Sequence, residues 1–140
     1  MDVKKIVAQV VKKYGTRSPY ELADLMDIKI TRFELGKIKG FYLYKYRIKQ
    51  IALNCNLAPQ DETFVLAHEI GHSIMHPQLN APFLHEYTLF STNKPEIEAN
   101  KFAIELLVPG EIIVENQKLA VSQLSKLTGF SEALMRLRLQ

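Results

Sequence analysis

The sequence predicts an α+β fold, with a small antiparallel sheet packed on one central helix, helices before it and a pair of short helices after it. Three observations carry that expectation. Apolar residues recur at spacings of three and four over 3–14, 64–75 and 96–108; the pattern changes to alternation over 28–53; and Gly, Pro, Asn or Asp punctuate the joins. With 140 residues, 47% of them hydrophobic and 24% charged, the chain can bury a sizeable core, and it is neither a disordered tail nor a repetitive fibre. Residues 1–140 are therefore expected to form a single domain.

Val3, Ile6, Val7, Val10, Val11 and Tyr14 form an apolar stripe on a first helix that Gly15 stops. Ser18 followed by Pro19 is a cap with proline at the first helical position, opening a second helix with Leu22, Ala23, Leu25 and Met26 turned inward. Ile28 and Ile30, running to Phe33, begin the alternation. The FYLY run at 41–44 follows Gly40, Tyr46 and Arg47 lie near a turn, and Ile48, Ile51 and Leu53 suggest a further strand ending near Asn54. Three antiparallel strands are the economical arrangement, since a lone hairpin is only marginally stable. Asp61 or Glu62 suits the positive end of a strong helix over 64–75 that Pro77 ends. Residues 77–95 hold two helix breakers within six positions and read as a long connection, a length that in a small domain signals function or mobility. Pro95 leads into a helix over 96–108 closed by Pro109, and two short helices, about 120–127 and 131–138, surround Thr128 and Gly129.

The N-terminus interleaves lysines with apolar residues and lacks the pattern of a signal peptide, and no apolar run approaches membrane-spanning length, so a cytoplasmic protein without a membrane partner is expected. The lone Cys55 excludes an intramolecular disulfide and is expected to be small and at least half buried. The net charge of +3 conceals 12 Lys/Arg against 5 Asp/Glu over 1–60 and 2 against 7 over 61–110. Scattered lysines on a solvated surface account for the basic half. The tail helices of 118–140 have the rhythm of a helix-turn-helix, yet they offer few cations and a glutamate where phosphate would approach, so packing against the domain is expected and direct nucleic-acid binding is not.

The chemistry lies in His68-Glu69-Ile70-Gly71-His72. Residues four apart share a helix face, so both imidazoles reach one metal ion while Glu69 stands beside it; Gly71 permits close approach of another backbone element. A zinc site of this kind needs a third protein ligand, for which Glu96, Glu98, His76 and His85 are candidates. Ala99, Phe102, Ala103, Leu106 and Leu107 define the buried side of the 96–108 helix, and Glu96 falls on it. Glu98 groups instead with Lys101 and Glu105 on a polar flank, and His76 lies where the preceding helix is ending. Asn100, one turn after Glu96, is placed to accept the Nδ1 proton of a ligating histidine.

HEIGH followed after a loop by EIEANKFAIELLVP resembles the ImmA/IrrE family of zinc metallopeptidases of bacteria, phages and mobile elements, and the resemblance in the order of parts covers nearly the whole chain. It implies a zincin-like fold and a gluzincin-like site in which His68, His72 and Glu96 ligate Zn2+ and Glu69 is the catalytic base. It further implies a zinc endopeptidase of narrow specificity whose protein substrate is a helix-turn-helix transcriptional repressor. The alternative is a partner that binds such a regulator without cutting it, an anti-repressor. The oxyanion donor stays open among Tyr42, Tyr44, Tyr46, His76, His85 and Tyr87, and a sheet edge within 40–53 offers strand addition to an extended substrate. For the aromatic cluster of Phe41, Tyr42, Tyr44 and Tyr46 the plainer expectation is sheet packing.

Overall fold

The apolar stripe of the first segment becomes α1 (Val3–Tyr14), with Val3, Val7 and Val10 buried. Asp2 accepts the Lys5 N–H at its start, and Gly15, at φ 70°, closes its end in the left-handed conformation that glycine adopts without strain. The Ser18 hydroxyl accepts the Glu21 N–H and opens α2 (Pro19–Leu25), where Leu22 and Ala23 are buried. Leu25, expected inward, is 55% exposed, because this short helix presents a single face and Leu25 lies about 100° from its centre. The computed structural model describes residues 1–79 and 93–140 and, between them, the backbone of Phe83–Leu84.

The strands β1 (Ile28–Phe33), β2 (Ile38–Lys45) and β3 (Ile48–Asn54) fall where alternation predicts them. Among the described residues a fourth, β4 (Phe83–Leu84), lies within the long connection and pairs with Ile38 and Gly40. The order is β1-β3-β2-β4. Pairing is antiparallel for β2 with β3, as expected, and also for β2 with β4, but β1 runs parallel to β3. The cause is visible in β3 itself: Ile51, Ala52, Leu53 and Asn54 are all buried, a continuous run suited to the sheet interior with a partner on either side, so β1 joins its far edge instead of β2. A two-residue turn links β2 to β3 with Tyr46 at φ 53° and Arg47 at φ 61°.

One face of the sheet is covered by α3 (Pro59–Met75), in which every residue from Phe64 to Ser73 is buried. The helix begins at Pro59, five residues before the apolar pattern, because proline presets the first helical φ and Asp61 and Glu62 complete the acidic first turn. Contact with the sheet is close: a Cβ at Gly40 would stand 2.8 Å from Val65 Cγ1 and 2.9 Å from the Ala52 carbonyl oxygen. The other side of α3 packs on α4 (Lys94–Leu107), where Phe102 occupies the space left by Gly71. The close approach expected at Gly71 is thus made by an aromatic side chain.

After α4 come α5 (Gly110–Glu115), a helix of one and a half turns that buries no residue and leaves no apolar periodicity, and the expected pair α6 (Val121–Thr128) and α7 (Glu132–Arg138). Leu124, Leu134 and Met135 join the core. Arg138 is buried against α4, donating from Nε to the Val108 carbonyl at 2.8 Å and from Nη1 to Glu105 at 3.1 Å. Glu105 is therefore a buried partner of α7, not a member of a polar flank. Cys55, expected at least half buried, is exposed, because it lies in the turn beyond the last strand residue. No helix among the described residues is long and apolar enough to cross a membrane.

Candidate metal centre

Helical geometry puts His68 and His72 on the α3 face that meets α4, with ring centroids 4.7 Å apart and an interplanar angle of 82°. The first turn of α4 brings Glu96 to them: Oε2 lies 3.1 Å from His68 Nε2 and Oε1 lies 2.9 Å from His72 Nε2. Both imidazoles are almost fully buried and Glu96 is 9% exposed. The phase argument that selects Glu96 agrees with this placement. His68 Nδ1 is 2.8 Å from Asn100 Oδ1, so the amide oxygen accepts an Nδ1–H proton and leaves the Nε2 lone pair directed at the cluster.

Whether these residues fit a metal ion is decided by their unpaired atoms. Donors ~2.0–2.2 Å from a tetrahedral ion stand ~3.3–3.5 Å from one another. The ligand atoms of His68, His72 and Glu96 all lie within 4.8 Å of one another. His72 Nε2 and Glu96 Oε1 are 2.9 Å apart, yet both are buried with no hydrogen-bond partner. Two polar atoms that converge without forming a bond to each other are aimed at a common third point. The donor set fits a small divalent cation.

The ionisation states suit ligation as well. Burial pushes the His68 imidazole down to about 4, against the upward pull of Glu96, so the ring is neutral at physiological pH. Burial alone would raise Glu96, but its close approach to the His68 and His72 rings outweighs that and brings the carboxyl to about 2. Glu69 behaves oppositely. Burial first, then the Glu96 charge, raise it well above the usual carboxylate range. The Tyr42 main-chain N–H faces the carboxylate and pulls the other way, though neither Glu69 oxygen is held in hydrogen-bond geometry. Oε2 of Glu69 lies 3.9 Å from His68 Nε2. A buried, unpaired carboxylate thus stands beside the cluster of convergent donors.

The remaining candidates are separated by the fold. His76 is not with the ligands: Nδ1 is 3.0 Å from His72 Nδ1 and Nε2 is 2.9 Å from Glu98 Oε1. Glu98, expected to answer Lys101, is thus turned toward α3. Of the aromatic cluster only Tyr42 packs fully, its hydroxyl buried and unpartnered, while Tyr44 is 40% and Tyr46 84% exposed. His85 and Tyr87 lie outside the described residues. The part played by the Tyr42 main chain had no signal in the residue types, since it depends on strand register.

Residues 23–140 match the family described as Peptidase_M78, IrrE N-terminal-like domain. The chain is 40% identical over 139 residues to Uncharacterized immunity region protein 2 of Bacillus phage phi105, spanning 97% of this chain and 88% of that protein. It is 31% identical over 113 residues to Metallopeptidase ImmA of Bacillus subtilis (strain 168), spanning 81% of this chain and 67% of that protein.

Proposed function

Because the chain belongs to the ImmA/IrrE family of metallopeptidases, we propose that it is a zinc-dependent endopeptidase of narrow specificity, with a helix-turn-helix repressor as its protein substrate. The observation that carries the activity is the convergence of His68, His72 and Glu96 on one point with the unpaired Glu69 carboxylate beside it. The name of the phage relative, an immunity region protein, supports a substrate in the control of phage immunity.

His68, His72 and Glu96 would hold the ion, with Asn100 fixing the His68 ring. Zinc bound there supplies Lewis acidity, polarising a carbonyl and making water easier to deprotonate. Glu69 takes a proton from the attacking water and passes it to the leaving amide nitrogen. An extended substrate would add to β2 over 41–45, next to the backbone that faces Glu69, where no strand among the described residues pairs on the side away from β3.

The test is Glu69→Gln. Wild type and variant are incubated with a helix-turn-helix protein encoded beside the gene, and intact masses are read. Wild type is expected to bind about one zinc per chain and yield two fragments whose masses sum to the parent plus one water. The variant is expected to keep the zinc and yield none. Cleavage undiminished in the variant would overturn the role of Glu69. Binding of the regulator without cleavage by zinc-loaded wild type would favour a non-cleaving anti-repressor.

A further inference from the structure

We propose that His76 and Glu98 are positioning residues of the metal centre, a relay that fixes the tautomer and orientation of His72. It rests on the reading of His68, His72 and Glu96 as the ligands.

The proton positions follow from the chemistry. If His72 ligates through Nε2, the neutral ring carries its proton on Nδ1. His72 Nδ1 lies 3.0 Å from His76 Nδ1, which must then be the acceptor. The neutral His76 ring therefore carries its own proton on Nε2, 2.9 Å from Glu98 Oε1, an acceptor. Each step permits one direction of donation, and the direction that suits ligation leaves both nitrogens of both rings occupied. Reversing the first bond would put the His72 proton on Nε2, where it would block the metal.

The scaffold holds this order in place. The His76 N–H donates to the His72 carbonyl at 2.7 Å, closing the last turn of α3. The side chains of His76 and Glu98 are only 11% and 13% exposed, so water competes weakly for their bond. Glu96 and Glu98, two residues apart, leave α4 in different directions. The first turn of α4 thus faces the His72 ring on both sides: Glu96 brings Oε1 to 2.9 Å from Nε2, and Glu98 reaches Nδ1 by way of His76. His68 has the simpler support of Asn100.

The competing reading is a plain staple between the end of α3 and α4, and metal affinity separates the two. Zn2+ affinity is measured by chelator competition in the full chain, and the visible spectrum is recorded after Co2+ loading. His76→Leu removes the acceptor and is expected to weaken Zn2+ binding about 10–100-fold and alter the Co2+ spectrum. His76→Asn places an amide oxygen near the Nδ1 position and is expected to recover most of that loss, which a staple to Glu98 would not. Glu98→Leu is read in the same way and is expected to weaken binding by a smaller factor. His76→Leu, or Glu98→Leu should the former fail to fold, binding within about 2-fold of wild type with an unchanged Co2+ spectrum would overturn the relay alone. A folded wild type that takes up no Zn2+ would overturn the ligand assignment, and the relay with it.

Discussion

A methyl group at position 71 would stand 3.0 Å from Cβ, Cγ and Cδ1 of Phe102. Phe102 is fully buried and its Cβ is anchored on α4, so the ring cannot swing aside. Gly71→Ala gains about 1 kcal/mol of helix propensity and meets overpacking of about 1–3 kcal/mol. We expect a net loss of up to about 2 kcal/mol in urea unfolding, with weaker zinc binding, because the contact sets the spacing between the helices that carry the imidazoles and Glu96. A variant as stable as wild type would mean that α4 can yield. The residues around this contact differ in how far the sequence reveals them. His68 and His72 share a face by spacing alone, and Glu96 and Asn100 follow from the phase of Ala99 and Phe102. The bond between His76 and Glu98 does not, because it joins two helices and depends on the angle at which α3 ends.

Elements are tied by fewer, more exposed bonds. Arg32 on β1 donates from Nε and Nη2 to both oxygens of Glu62, each at 3.0 Å, and the Tyr20 hydroxyl of α2 donates to Glu62 at 2.9 Å. The first turn of α3 is thereby fastened to α2 and to the edge of the sheet. The Arg32 guanidinium holds the Glu62 carboxyl below its usual 4.5, so the stability from this pair is fully present above that pH and is lost as pH falls through the lowered value. Arg32 is 47% exposed on its side chain, which screens the pair. We expect Arg32→Met to lower unfolding free energy by about 0.5–1 kcal/mol at neutral pH, and the difference to close as pH falls below about 4.5. A gap that stayed constant into acid would assign the loss to packing of the arginine stem. Apart from the short α5, the helices and the strands β1 to β3 were legible, because periodicity and caps are local. Strand order was not: only the continuous burial of Ile51 to Asn54 marks β3 as the interior strand, and that run is too short to exclude an ordinary antiparallel meander.

At the scale of the molecule, α4 is the member on which α1, α3 and α7 all pack, and it also carries Glu96. The Arg17 guanidinium donates to the carbonyls of Glu105 and Leu106 at one end of this helix, while the proposed ion would cross-link its other end to α3. We therefore expect one cooperative unfolding transition in which metal binding and folding are linked. An ion bound only by the native state adds about 2.7 kcal/mol at a free concentration 100 times Kd and about 4.1 kcal/mol at 1,000 times. With about 2–4 °C per kcal/mol for a chain of this size, zinc-loaded protein should unfold roughly 5–16 °C above chelator-treated protein. The whole transition should move, since the ligands come from two helices that share the core, and His72→Ala should abolish the shift without splitting the transition. Two transitions, of which zinc moved one, would divide the chain into separate units. Equal midpoints with and without zinc would mean that the three convergent donors hold no ion, and the unpaired atoms of His72 and Glu96 would then need another explanation.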